Sequence, residues 1–178
     1  MVLVVLLGGR AMGDPVPPKS QALLLLRILA YDHKLADRVD NKKVTIFVVE
    51  KAGATDADAL AGELTSIAKS TKLAGNTIQV VTLTYNDKTF EADVGKLKGA
   101  AMFVAPSLGD SLGVVTAVTA KYKLLSFAGN VDHVASGLSV GFANEGGKPV
   151  ISVNLAASRN EGADLDVALL RVAKIVKK

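Results

Sequence analysis

The run Lys43-Val44-Thr45-Ile46-Phe47-Val48-Val49-Glu50 constrains the fold more than any other stretch, because its β-branched and aromatic residues do not alternate with polar ones. A strand with one wet face alternates; an almost continuously apolar one is covered on both faces, as in a mainly parallel sheet. Parallel neighbours require crossover connections, and the sequence supplies them. The link Lys51-Ala52-Gly53-Ala54-Thr55 leads into a helix predicted over 56–70, with Leu60, Leu64, Ile67 and Ala68 on one face and Thr55 or Asp56 as its cap. A second strand is predicted over Thr77 to Leu83, which completes a β-α-β unit with a right-handed crossover.

The pattern then repeats. Tyr85 to Gly99 holds a short helix through Phe90, Val94 and Leu97, weakened by Gly95 and Gly99. Ala100 to Ala105 reads as a short buried strand stopped by Pro106, after which Ser107 or Asp110 opens a helix to Lys121 with Leu112, Val115 and Val118 inward. Leu124 to Phe127 is a further strand, and Gly129 to Val134 a turn or single helical turn. Leu138, Val140 and Phe142, then Ile151, Val153 and Leu155, alternate around the turn residues Ala143 to Lys148, predicting an antiparallel hairpin. Leu165, Leu169, Val172, Ala173 and Val176 place a closing helix after it. The expected fold is therefore α/β: one domain over 20–178, a mainly parallel sheet flanked by helices in Rossmann-like layers, with a C-terminal antiparallel hairpin and closing helix.

Ahead of the first strand, Asp14 to Lys19 is a proline-rich extended lead-in, and Ser20 is placed to cap a helix over Gln21 to Val39. Asp32, Lys34, Asp37 and Arg38 fall on its solvated face. Ala22 to Leu26 reads as core-facing, with a homodimer contact as the alternative. The apolar run Val2 to Leu7, with small residues at Ala11 and Gly13, resembles the tail of a secretory signal over 1–13 cut before Asp14, although it lacks a basic start. A strand-like N-terminus is the other reading; the signal implies export to the periplasm. No membrane span is expected in the mature chain, since Ala22 to Ala30 is short and interrupted by Arg27.

Composition narrows function by exclusion. The 178 residues carry 21 Lys and Arg against 17 Asp and Glu, scattered without a long basic block, and aromatics are 4%. That argues against a nucleic-acid reader, which needs a clustered basic face or stacking rings. With no cysteine, neither disulfides nor thiolate metal sites can form. No G-x-S-x-G elbow, P-loop or G-x-G-x-x-G turn occurs, and His33 and His133 have no metal-ligand spacing. No catalytic residue, cofactor or metal is assigned, and the chain is expected not to be an enzyme. Ligands of open parallel sheets sit beyond the carboxyl ends of the strands. The loops there offer Thr55, Ser107, Asp110, Asn130, Asp132 and His133 as a small-ligand crevice, or simply as turn formers and helix caps.

A second strand ending Val153-Asn154-Leu155, the run Ala156-Ala157-Ser158-Arg159, the closing Leu169-Leu170-Arg171-Val172-Ala173 and the strand Lys98 to Ala105 together resemble the YfiR-like periplasmic domains. The resemblance implies a periplasmic α/β regulator that works by protein contact, some members restraining a membrane-bound diguanylate cyclase and so controlling cyclic di-GMP. A membrane-bound sensor or cyclase is then the expected partner. The chain departs from many relatives in having no cysteine and no Trp-Pro ending to its leading helix. The competing expectation is a solute-binding domain resembling one lobe of an ABC-transporter substrate-binding protein.

Overall fold

A computed structural model describes residues 15–176, so the expected signal segment lies outside the described residues. The apolar run becomes β1 (Lys43–Lys51), an interior strand of the sheet, buried from Val44 to Val49. Its residues alternate between two cores: Val44, Ile46 and Val48 face one side, Phe47 and Val49 the other. The remaining strands are β2 (Lys72–Leu73), β3 (Asn76–Tyr85), β4 (Ala101–Val104), β5 (Leu125–Ala128), β6 (Val140–Glu145), β7 (Lys148–Val153) and β8 (Lys174–Ile175). They form one sheet in the order β2-β3-β1-β4-β5-β6-β7-β8. The pairs β1–β3, β1–β4, β4–β5 and β5–β6 are parallel, and β6–β7 is the predicted antiparallel hairpin.

Helices cover both faces, as a doubly buried β1 demands. On one side lie α1 (Pro18–Ala30) and α2 (Asp58–Ala68), burying Ala22, Leu25, Leu29, Leu60 and Leu64 against Ile46, Phe103 and Phe127. On the other lie α3 (Phe90–Gly95), α4 (Leu112–Tyr122) and the single turn α5 (Asp132–Ala135), with Phe90, Val94, Val115 and Val118 packed on Phe47 and Met102. Ala22, Leu25 and Leu26 are core residues, while Leu23 is half exposed on the outer side of α1.

Several local expectations are corrected. The leading helix starts at Pro18, not behind a Ser20 cap: Pro17 occupies the N-cap, and the fixed φ of Pro18 suits the first helical position. The helix stops at Ala30 rather than Val39, and a 3-10 turn follows at Leu35–Arg38. Asp32 and Arg38 are not solvated; they are 4% and 3% exposed. Asp32 leaves the helix because it pairs with Leu165 in an isolated antiparallel bridge, an interaction between distant segments. The α2 cap falls at Ala57, with no capping side chain, because the Asp56 carboxylate is engaged elsewhere.

The C-terminal end differs too. Asn154 does not continue a strand into Leu155; its side chain accepts from Ala157 N at 3.1 Å and opens α6 (Leu155–Asn160). The closing helix α7 is only Val167–Val172, capped by Asp166. Ala173 then turns extended and Lys174–Ile175 adds to β7 as β8, so Val172 is 73% exposed rather than facing the core. The exposed edge of β7 offers unpaired backbone groups, and Val176 N donates to Val153 O at 2.9 Å. The short β2 also goes unforeseen; it pairs antiparallel with β3 across the two-residue turn Ala74-Gly75.

Candidate functional site at the carboxyl edge of the sheet

The chain fills one side of β1 with β3 and then crosses to place β4 on the other, so the order reverses between β1 and β4. In open α/β sheets that reversal parts the loops and leaves a crevice at the carboxyl ends of the two strands. Here the loops are tied together. Lys51 N donates to Ser107 Oγ at 3.3 Å, Ser107 Oγ donates to Asp56 Oδ1 at 3.0 Å, and Ser107 N donates to Asp56 Oδ2 at 2.7 Å. One carboxylate thus joins the loop after β1 to the 3-10 turn Pro106–Ser111 after β4. The loop after β5 closes against the same turn at Gly129, where a Cβ would stand 2.6 Å from Pro106 Cδ and 3.1 Å from the Val104 carbonyl oxygen. Only glycine lets the two backbones approach so closely.

The remaining space is a cleft of about 250 Å³ lined by Val16, Pro17, Gln21, Asp56, Phe103 and Gly129 among others. Its outer wall is the proline lead-in. Val16 is 3% exposed, and Gln21 Nε2 donates to its carbonyl at 2.7 Å, so the chain's own N-terminal segment is seated over the crevice.

The six expected residues separate into two groups. Ser107 joins the cleft through Asp56, whereas Thr55 and Asp110 lie exposed on their loops. Asn130 Oδ1 accepts from Asp132 N at 3.0 Å, a local turn that sets the start of α5. His133 follows it, 8% exposed, with Nε2 directed at Gly109, 3.4 Å from where a Cβ would stand. Burial lowers the His133 pKa from its usual value, more than the nearby Asp132 raises it, so the ring is neutral at pH 7. Its Nδ1 has no hydrogen-bond partner among the described residues. Ser107 is held by a carboxylate, not by an imidazole, so these groups do not form a nucleophile and base pair. Among the described residues no group of three or more His, Asp or Glu is placed to hold a metal, and no helix is long and apolar enough to cross a membrane.

The strongest polar constellation lies at the opposite, amino edge. Glu161 is 2% exposed, and its carboxylate accepts from Thr119 Oγ1 at 2.7 Å, from Ser126 N at 2.8 Å and from Ser139 Oγ. Burial raises its pKa above the usual carboxylate value, against the effect of those donors. Arg38 Nη2 donates to the Glu161 carbonyl at 3.2 Å while Arg38 Nη1 donates to Asp32 Oδ2 at 2.6 Å. Asp32 Oδ1 accepts from Lys34 N at 3.0 Å and Asp164 N at 2.9 Å. This network carries no local sequence signature; an Asn-Glu-Gly turn reads as solvated. It ties the segment after α1, the α4 helix, β5, the residue ahead of β6 and the segment before α7 into one network at the edge away from the crevice.

The family model DUF4154, described as YfiR/HmsC-like, matches residues 18–174. No curated protein matches the sequence. Among solved structures, a conserved domain protein from Vibrio cholerae superposes with a TM-score of 0.63 at 15% identity, covering 90% of this chain and 60% of that one. An ABC domain in complex with L-Trp from Streptococcus pneumonia gives 0.60 at 12% identity, covering 90% and 62%. A ligand-free, open substrate-binding protein with adhesive properties from Clostridium difficile gives 0.58 at 15%, covering 89% and 59%. The chain spans about three-fifths of the length of these proteins, and at such identities the likeness is one of fold. The family match is of another kind, since it runs from the first turn of α1 into β8, and the chain belongs to the YfiR/HmsC-like family.

Proposed function

We propose that this protein is a periplasmic regulator that restrains a membrane-bound signalling enzyme, such as a diguanylate cyclase, by direct protein contact. The observation that carries the reading is the family match over residues 18–174. The surface offers a contact of suitable kind where α1 meets α7. Tyr31 is 40% and Val167 61% exposed, and Asp166 N donates to Tyr31 O at 2.9 Å, which brings the two apolar side chains to the same corner. Apolar and aromatic groups at a surface are the usual anchors of protein contacts. Deleting the gene in its host is expected to raise cyclic di-GMP several-fold, and the wild-type chain to restore the low level. The double variant Tyr31→Glu, Val167→Glu is expected to fold but not to restore it. Unchanged cyclic di-GMP in the deletion strain would sink the reading.

A second reading, a small-solute binding domain, draws on the cleft at the strand-order reversal and on the likeness of fold to a substrate-binding protein. It expects a metabolite that raises the melting temperature, with the rise lost in Asp56→Asn, a change in the cleft wall. The seated lead-in argues against it: Val16 must leave before a solute of ordinary size can enter. A metabolite panel that produces no melting shift removes this reading and leaves the first intact.

A further inference from the structure

The two edges of the sheet differ in their balance of charge, although Lys51 and Lys88 lie at the carboxyl edge and Asp40 at the amino edge. The carboxyl edge carries Glu50, Asp56, Asp58, Asp87, Asp110 and Asp132 on or just after the ends of β1, β3, β4 and β5. The amino edge of the same sheet is cationic. Lys42 sits at the tip of a tight turn, at φ 59, whose ends are bonded by Lys43 N to Asp40 O at 2.8 Å and Asp40 N to Lys43 O at 3.0 Å. Lys43 opens β1 opposite Thr77 of β3, and Lys72 of β2 is opposite the same Thr77. These three positions therefore form a row across three strands, and two strand spacings put the α-carbons of Lys43 and Lys72 about 10 Å apart. Lys69, at the end of α2, precedes Lys72 by one helical turn of sequence. Lys42, Lys43, Lys69 and Lys72 are all exposed, and none makes an ion pair among the described residues. Lys98 and Lys123, ahead of β4 and β5, extend the edge, their Nζ atoms resting on the carbonyls of Val39 and Asn160.

We infer that this amino edge is a membrane-docking face, on which Lys42, Lys43, Lys69 and Lys72 hold the domain against anionic phospholipid headgroups. That the docked domain then meets a membrane-bound partner rests on the regulator reading; the lipid contact itself does not. The chemistry favours a headgroup layer over an acidic protein. Leu97, beside Lys98, is exposed, but none of the large exposed apolar side chains belongs to α2, β2 or the starts of β1 and β3, so the lysine row itself lacks the apolar anchors on which protein interfaces centre. Lysine is a compact, hydrated charge on a flexible stem, suited to a diffuse anionic plane rather than to a fixed bidentate site. Asn41, Ser70 and Thr71, next to the lysines in sequence, are exposed and polar, as is Thr77 in register with Lys43 and Lys72. With carboxylates outnumbering Lys51 and Lys88 at the opposite edge, the molecule carries a net charge asymmetry that turns the amino-edge lysines toward a negative surface before contact.

The test is sedimentation of the full-length chain with vesicles of phosphatidylcholine alone or of phosphatidylcholine with phosphatidylglycerol. Binding is expected to the mixed vesicles only, and to disappear at roughly 0.5 M salt, where the screening length falls to a few ångströms. The triple variant Lys42→Glu, Lys43→Glu, Lys72→Glu is expected to bind roughly a hundredfold more weakly, since each lysine near an anionic surface contributes measurably and its reversal repels. The control Lys51→Glu, Lys88→Glu, at the carboxyl edge, binds as the wild type. Equal binding to both vesicle types, salt-insensitive binding, or a triple variant that binds normally overturns the proposal, as does binding that requires an added acidic protein. Failure here leaves the cyclic di-GMP test of the deletion strain untouched, so the two readings fail separately.

Discussion

Glu161→Ala lowers the stability of the folded chain by about 3 kcal/mol, whereas Glu161→Gln stays within about 1 kcal/mol of the wild type at pH 7. Alanine leaves Ser126 N–H, Ser139 Oγ and Thr119 Oγ1 facing an apolar hole, with a buried backbone donor unmatched. Glutamine keeps the shape. Its carbonyl can take the position that accepts from Ser126 N and Ser139 Oγ. Its amide can donate to Thr119 Oγ1, whose own proton then goes to Thr116 O, already 3.2 Å away. The two variants also differ in pH dependence. Because burial raises the Glu161 pKa above its reference value of 4.5, the folded state holds this proton longer than the unfolded one. Stability from this group is therefore full below pH 4.5 and falls as pH rises through the folded pKa; Glu161→Gln removes that slope. Urea titrations of the three proteins between pH 4.5 and pH 8 measure both effects, and a glutamine variant as unstable as the alanine one would refute the argument.

Arg38→Met is the second large effect, a loss of about 3–5 kcal/mol. Methionine fills much of the volume but strands the Asp32 carboxylate, whose side chain is fully enclosed and whose ionic partner is gone. Burial opposes the charge on Arg38, lowering its pKa, while Asp32 and Glu161 hold it in place. The pair is thus costly to make and more costly to break. Adding Asp32→Asn to Arg38→Met recovers a substantial part of the loss, because an amide needs no counter-ion and can still accept from Lys34 N and Asp164 N. A double-mutant cycle by denaturant melting reads the coupling directly, and strictly additive losses would show that the pair is not a unit.

The elements read most directly from the sequence were those whose partners are one crossover away. The doubly apolar β1, the β-α-β unit over β1, α2 and β3, and the hairpin around Gly146-Gly147 each carry their own period and turn chemistry. Errors arose where a remote backbone outbid local spacing. Leu35 and Val39 prolong the apolar stripe of α1, yet Asp32 turns away to meet Leu165, more than a hundred residues later. Val172 and Val176 suit a longer closing helix, but the open edge of β7 takes Lys174 and Ile175 as a strand. Asn154 is the exception: a capping residue before a run of small residues is a helix start visible in sequence, hidden by the alternation running through it. Of the crevice, the loops were legible and the occupant was not. Prolines announce an extended lead-in without saying where it rests, and Val16 finds its place only once β4 and β5 stand side by side.

The bonds from Asp32 and Arg38 to Asp164 and Glu161 span 132 and 123 residues. A chain emerging in order from a ribosome or a translocation pore cannot complete them until almost everything else has appeared. Until then the Asp32–Arg38 pair lacks the backbone groups of Glu161 and Asp164 that complete it, so the terminus of the first helix is only partly held. Late closure of this kind delays locking of the early segments, which is what a polypeptide needs if it is to be threaded unfolded across a membrane and finish folding on the far side.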